Sequence, residues 1–158
     1  MPVEVGDTAP DFKLKNQDSE DTSLSDFKGQ EIVLLFFPFA FSSVCSAEVK
    51  RMQEDFNNNI DINAQVIGIS VDSPYALKAW KEFTQINFPL LSDFNKEVSK
   101  KYDSLYDLYY PEKFSYNGVA KRTAFVIGKD GKIKYKEICP TPAEQPDYDA
   151  IKKVLETE

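Results

Sequence analysis

Two stretches of the chain are apolar almost without a break, residues 31–37 (EIVLLFF) and 65–71 (QVIGISV). Uninterrupted runs of this length, rich in β-branched and aromatic residues, predict strands covered on both faces. Between them Cys45, Val49, Met52 and Phe56 recur at i, i+4, i+7 and i+11. That is the stripe of an amphipathic helix over 43–57, with Asn57-Asn58-Asn59 ending it. Strand, helix and strand in such close succession predict a parallel βαβ unit with a right-handed crossover. Ser73-Pro74 then opens a second helix, a cap followed by proline at the first helical position. Its Leu77, Trp80 and Phe83 are spaced for one face. A short strand over 88–91 and a polar helix over 95–102 follow.

The ends of the chain carry weaker patterns. Residues 1–30 predict an irregular entry, a short strand at 12–15, and turns around 16–20 and Lys28-Gly29. Towards the C-terminus, strands over 122–127 and 132–138 flank Lys129-Asp130-Gly131, a hairpin signal. Ile133 and Tyr135 alternate with Lys132, Lys134 and Lys136, as expected of an edge strand that must not pair further. A closing helix over 147–155 turns Ile151, Val154 and Leu155 inward. No repeat, linker or shift of composition divides the chain, so a single α/β domain over 1–158 with a mixed sheet is expected.

Composition narrows the function classes. A formal charge of −7 and a pI near 4.7, with no basic cluster, argue against a nucleic-acid partner. The longest apolar run, 32–41, contains Pro38 and falls far short of the ~20 residues of a membrane span. The N-terminal stretch has no apolar signal core, so a cytoplasmic protein is expected. There the two cysteines would stay reduced rather than form a structural disulfide. There is no histidine in the sequence. Ser–His–Asp and Cys–His catalysis and histidine-ligated zinc are thereby excluded.

What remains is Cys45, at the start of the first helix and just past the end of a buried strand. It is either a small buried hydrophobe on the apolar stripe or a reactive thiol. Lowering a thiol from ~8.5 to ~6.5 takes about 2.7 kcal/mol of preference for the thiolate. A helix terminus supplies ~0.3–1 kcal/mol. A reactive Cys45 therefore requires a cation. Of the two arginines, Arg51 lies on the far side of the same helix, whereas Arg122 begins a strand and can reach across the sheet. Cys45 to Arg51 also reads as the C-x5-R of thiol phosphatases. The intervening Ser46-Ala47-Glu48-Val49-Lys50 has no glycine and carries a carboxylate, so it suits a helix rather than a phosphate loop. Cys139, in Glu137-Ile138-Cys139-Pro140, is either inert or a thiol that resolves an oxidised Cys45. The aromatics Tyr102, Tyr106, Tyr109, Tyr110, Phe114 and Tyr116 read as core or subunit contact, or secondarily as a pocket wall. No Walker loop, dinucleotide fingerprint, CxxC pair or metal-ligand cluster is present.

Pro38-Phe39-Ala40-Phe41-Ser42-Ser43-Val44-Cys45 resembles the peroxiredoxin motif P-x-x-x-T/S-x-x-C, and Glu48 matches a frequent position three residues on. Gly6-Asp7-Thr8-Ala9-Pro10-Asp11-Phe12 is similar to that family's N-terminal G-x-x-A-P-D-F, and Arg122-Thr123 falls where the family keeps its active-site arginine. The resemblance spans the domain and is nearest the AhpE-like, one-cysteine branch, since Lys50 stands where some members carry a resolving cysteine.

It implies a thioredoxin-like fold and no metal or organic cofactor. Peroxide would be reduced by a Cys45 thiolate that becomes sulfenic acid, with Arg122 lowering the thiol pKa and stabilising charge on the oxygens. Ser42 would hydrogen-bond the peroxide, Pro38 would shield the site, and Glu48 would support it. The implied partners are a peroxide, a thiol reductant (thioredoxin, glutaredoxin-like or of low molecular weight) and a second copy in a homodimer. The reading from another class is a thioredoxin-fold binding or regulatory protein with an inert Cys45.

Overall fold

A computed structural model describes residues 3–59 and 62–156. Among the described residues, nine strands fall into two sheets: β1 Lys13–Asn16, β2 Asp21–Ser23, β3 Glu31–Phe36, β4 Ala64–Ser70, β5 Leu90–Ser92, β6 Leu105–Tyr109, β7 Tyr116–Ala120, β8 Thr123–Ile127 and β9 Ile133–Ile138. Four α-helices among the described residues pack with them: α1 Ser43–Met52, α2 Pro74–Thr84, α3 Glu97–Lys101 and α4 Tyr148–Glu156. The main sheet has the order β2-β1-β5-β4-β3-β8-β9, and β6 and β7 form a separate hairpin. β3, β4 and β5 run parallel, while β8 and β1 join them antiparallel. The sheet is mixed, as expected.

β3 lies inside the sheet, between β4 and β8, because every residue from Ile32 to Phe37 can be buried. Val33, Leu35 and Phe37 face a core shared with Val49, Met52, Phe56, Trp80 and Ile151, on the side of α1, α2 and α4. Ile32, Leu34 and Phe36 face the opposite core with Ile69, Val98, Tyr102 and Phe125. Successive strand residues thus feed two cores, which is why the run shows no polar alternation. Gly68 on β4 sits where a Cβ would meet Leu90 Cδ2 at 2.9 Å, so any side chain there would have to push the Leu90 side chain aside.

The first helix differs from a plain 43–57 helix. It is α-helical to Met52 and then widens into a π-helical turn, Gln53–Asn57, in which Asn58 N–H donates to Gln53 O at 2.7 Å. Gln53 explains the turn's anchoring: its side chain donates to Gln85 O and accepts from Asn87 N–H, tying it to the end of α2. α2 begins at the Ser73 cap, whose hydroxyl accepts from Ala76 N–H. Its expected apolar face is corrected at one position. Leu77 and Trp80 are buried, but Phe83 is 67% exposed and lies against Phe41. α3 is one turn, shorter than 95–102, and Val154 and Leu155 of α4 are only half-buried while Ile151 is fully buried.

β9 is an edge strand, and its lysines are tethered. Lys134 pairs with Glu31 at 2.9 Å, and Lys136 donates to Val3 O at 2.8 Å. The N-terminal segment covers the end of β9, with Gly6 N–H donating to Ile133 O and Ile133 N–H to Asp7 O. Its Ala9 and Phe12 are buried, and Tyr102 donates its hydroxyl proton to Pro10 O. The strand β2 and the β6–β7 hairpin go beyond the expected elements. No helix among the described residues is long and apolar enough to cross a membrane.

Candidate active site

The chain leaves β3 through Phe37, whose N–H donates to Ile69 O, and passes a buried Pro38 into the turn Phe39–Ser42. Asp72, just past β4, fixes this turn. Its carboxylate accepts from Ala40 N–H at 2.8 Å and from the Ser70 hydroxyl at 2.6 Å. Phe41 then takes a left-handed conformation, φ 69°, which swings the chain into Ser42. A bulky residue held there stores of the order of 1–3 kcal/mol of strain. Ser42 caps α1 and its hydroxyl accepts from Cys45 N–H at 3.3 Å. Cys45 is thus in the first turn of the helix, fully buried beneath the loop. Trp80 braces the same turn from α2, donating to the Ser46 hydroxyl at 3.1 Å and packing on Phe37 at 5.0 Å.

Arg122 enters from the opposite direction, in the link between β7 and β8, and only 1% of it is exposed. Four of its five N–H donors are engaged. Nε and Nη2 both donate to Pro142 O, at 3.2 and 2.7 Å. Nη1 donates to Cys45 Sγ at 3.3 Å and to Glu48 Oε1 at 2.6 Å. Cys45 and Glu48 lie three residues apart on one face of α1, so a single guanidinium nitrogen meets both. Glu48 is fully buried, and its second oxygen, Oε2, has no hydrogen-bond partner. Arg51 is elsewhere, as its helical phase requires: it pairs with Asp55 and lies over the Tyr148 ring at 4.4 Å.

The electrostatics differ from a simple acidic thiol. Burial pushes the Cys45 thiol up; Arg122 pulls it down, Glu48 pushes it up again, and the Ser42 hydroxyl and the Phe39 backbone favour the thiolate. The net direction in this closed geometry is upward. Arg122 acts in the expected direction, but burial is the larger influence and Glu48 draws on the same charge. Glu48 itself is pushed up to about 7 by burial, against the pull of Arg122. Burial works against the Arg122 charge too, but Glu48 and Cys45 outweigh it and keep the guanidinium protonated.

Residues 5–136 match the AhpC/TSA family. The chain belongs to the AhpC/TSA family of peroxiredoxins. It is 33% identical over 134 residues to the peroxiredoxin Bcp of Escherichia coli (strain K12), covering 85% of each chain. It is also 34% identical over 146 residues to the putative peroxiredoxin ycf42 of Pyropia yezoensis, covering 86% of this chain and 69% of that one. The crystal structure of a peroxiredoxin-like protein from Aquifex aeolicus superposes with a TM-score of 0.85 at 28% identity, over 98% of this chain and 87% of that chain. The peroxidoxin BcpB of Mycobacterium tuberculosis gives 0.78 at 26% identity, over 97% and 94%. The fold is thioredoxin-like, and a peroxiredoxin is a thiol-dependent peroxidase, an oxidoreductase.

Among the residues singled out in the sequence of this peroxiredoxin, Ser42, Cys45, Glu48 and Arg122 converge, and Pro38 is buried at the start of the same loop. Cys139 comes near by backbone, its N–H donating to Arg122 O at 2.9 Å. Its thiol is buried, and that burial, with Glu137 and Glu48 nearby, pushes it up to about 12. Three contributors escaped the sequence reading: Asp72, Trp80 in its role as a brace, and the Pro142 carbonyl. The Asp72 signal was present in Ser70-Val71-Asp72-Ser73, an acid just past a buried strand. A backbone carbonyl twenty residues beyond Arg122 leaves no signal. Of the aromatics, Tyr102 is core, whereas Tyr109 and Tyr116 on the hairpin meet Phe39 of the site loop at 5.5 and 6.1 Å.

Proposed function

We propose that residues 1–158 act as one peroxiredoxin domain that reduces hydrogen peroxide and alkyl hydroperoxides at Cys45. The observation carrying this reading is the Arg122 Nη1–Cys45 Sγ contact of 3.3 Å within a closed, histidine-free pocket. The sulfur attacks the nearer peroxide oxygen, the O–O bond breaks, and water or an alcohol leaves as Cys45 becomes sulfenic acid. Arg122 stabilises negative charge on sulfur and on the departing oxygen. Ser42 offers a hydroxyl to the peroxide, and Pro38 keeps bulk water off the sulfur.

Regeneration proceeds by an external thiol, from thioredoxin, a glutaredoxin-like protein or a small thiol. Two features support a one-cysteine cycle of the AhpE-like kind. Lys50 occupies the position five residues after Cys45, and a thiol held near 12 is a poor nucleophile at neutral pH. A homodimer in the cytoplasm is the accompanying expectation. Peroxide consumption should vanish in Cys45→Ser; full turnover in that variant sinks the reading. Treatment with one equivalent of peroxide, followed by a sulfenic-acid trap and intact mass, should show one trapped adduct in both the unmutated protein and Cys139→Ser. A loss of two hydrogens that disappears in Cys139→Ser would instead make Cys139 the resolving thiol.

A further inference from the structure

The turn between β3 and α1 contains a strained residue that its own side chain does not hold in place. Phe41 is left-handed at φ 69°, and its ring is largely exposed, lying against Phe83, which is exposed as well. A bulky residue keeps that conformation only where the chain on either side is fixed. On the helix side the fixing contact is the Ser42 hydroxyl, which accepts from Cys45 N–H at 3.3 Å. On the strand side it is the Asp72 carboxylate, which accepts from Ala40 N–H at 2.8 Å. We propose that Asp72 is a positioning residue of the peroxidase reaction: by gripping the Ala40 N–H it holds the turn in the form that brings the Phe39 backbone and the Ser42 hydroxyl to the Cys45 sulfur. The inference rests on the peroxidase reading and deepens it.

Asp72 is mounted as an anchor rather than as a surface acid. Its Oδ2 accepts from both Ala40 N–H and the Ser70 hydroxyl, the latter at 2.6 Å, and the Ser70 oxygen in turn accepts from Asp72 N–H at 3.2 Å. The Asp72 carbonyl accepts from the Ser92 hydroxyl at 2.6 Å, and Asp93 N–H donates to Ser70 O at 2.7 Å. Ser70 and Ser92 are buried at the ends of β4 and β5. The carboxylate is therefore carried by the ends of two parallel strands, and it meets a loop 32 residues earlier in the chain. A bond from a backbone N–H to a carboxylate is charge-assisted, about twice as strong as a neutral one, which suits a restraint against strain.

The path from Asp72 to the sulfur is short. The peptide that it grips joins Phe39 to Ala40, and a peptide unit is planar, so fixing its N–H fixes how Phe39 is turned. The Phe39 backbone favours the thiolate on Cys45. The Phe39 ring is held edge-on by Tyr109 and Tyr116, at 5.5 and 6.1 Å, so the residue is restrained at both its ring and its peptide. Ser42 lies two residues past Ala40, beyond the strained Phe41. Burial pushes the Asp72 carboxyl up while its bonds to Ser70 and Ala40 pull it down, and the charges of Cys45 and Arg122 are not among the influences on it. Asp72 thus acts on the sulfur through the shape of the turn, not through its charge.

The test compares Asp72→Ala, which removes the acceptor, with Asp72→Asn, which keeps an amide oxygen in its place. The second-order rate of Cys45 oxidation by hydrogen peroxide is read per folded molecule with a sulfenic-acid trap, and urea unfolding is measured alongside. Asp72→Ala should react about a hundredfold more slowly, as for a misplacement of about an ångström at a reacting centre. Asp72→Asn should recover to within about fivefold of the unmutated protein, since a neutral bond still holds the turn. Ser70→Ala, which frees the carboxylate without removing it, should slow the reaction alone but add nothing in the Asp72→Ala background. A residue that only stabilises the fold would lower the urea midpoint and leave the rate per folded molecule unchanged; that result overturns the proposal, and so does Asp72→Asn as slow as Asp72→Ala. Should Asp72→Ala fold poorly, exchange of the Ala40 amide hydrogen in the unmutated protein decides. It should be slowed at least about a hundredfold, and exchange at the rate of an open loop overturns the proposal. Consumption of hydrogen peroxide by the unmutated protein tests the peroxidase reading separately.

Discussion

Glu48 should make the fold less stable as the pH rises from mildly acidic to neutral. In the unfolded chain its carboxyl titrates near 4.5, and in the folded protein at about 7. Between those values the native state keeps a proton that the unfolded state has released, so raising the pH favours unfolding. Each pH unit across that window removes ~1.4 kcal/mol, and the full window removes about 3 kcal/mol. Above pH 7 both states are ionised and no further loss accrues. Because the pI is near 4.7 and solubility is poor there, the practical range starts at pH 5.5. From pH 5.5 to 8 the loss should be about 2 kcal/mol.

Other groups titrate as well, so the quantity to plot is the stability of Glu48→Gln minus that of the unmutated protein. Both are measured by urea unfolding under reducing conditions. The difference should rise with pH by about 2 kcal/mol and flatten above pH 7. A difference that does not change with pH would mean that Glu48 is an ordinary carboxylate held ionised by Arg122, and the argument from burial would fail.

Two further outcomes follow from the same contacts. Arg122→Met should lower the peroxide rate by about 10²–10³, as for loss of a donor at developing charge. It should also destabilise the fold by about 3–5 kcal/mol at pH 8, because the buried Glu48 loses its counter-charge and must take up a proton, and by less at pH 5.5, where Glu48 is already protonated; a pH-independent loss in urea unfolding would contradict this. Ser42→Ala removes the cap on Cys45 N–H and should cost about 1 kcal/mol of stability, with Ser42→Thr restoring it. Equal stability of all three proteins would show that the cap contributes nothing.

How much of this was legible depended on whether a residue answers to its neighbours in sequence or to distant ones. β3 and β4 were readable because burial on both faces leaves a continuous apolar run. The α1 stripe was readable because Cys45, Val49, Met52 and Phe56 all bury on one side. Phe83 was misplaced because helical phase puts it beside Trp80, yet its ring stays largely exposed and lies against Phe41 of the site loop. The β6–β7 hairpin was missed because its aromatics alternate poorly. Leu108, Tyr110, Phe114 and Tyr116 are substantially exposed, and the rings of Tyr110 and Tyr116 both pack on Phe114. The need for a cation at Cys45 could be argued from magnitudes alone. That the cation is shared could not, because it depends on how a side chain from the β7–β8 link meets a helix seventy-four residues earlier in the chain.

That sharing alters what the helix end and the arginine accomplish. If Arg122 served Cys45 alone, its charge would act wholly to lower the thiol, and a thiolate would be expected at rest. With Glu48 bonded more closely than sulfur to the same nitrogen, the guanidinium is already partly neutralised, and burial of the sulfur prevails. Protonation of Glu48 removes that competition and favours the thiolate. Acidity at Cys45 is therefore a property of the three groups together. A substitution at any one of them should move the titration of the other two, and a separately assigned thiol pKa describes the trio rather than the cysteine.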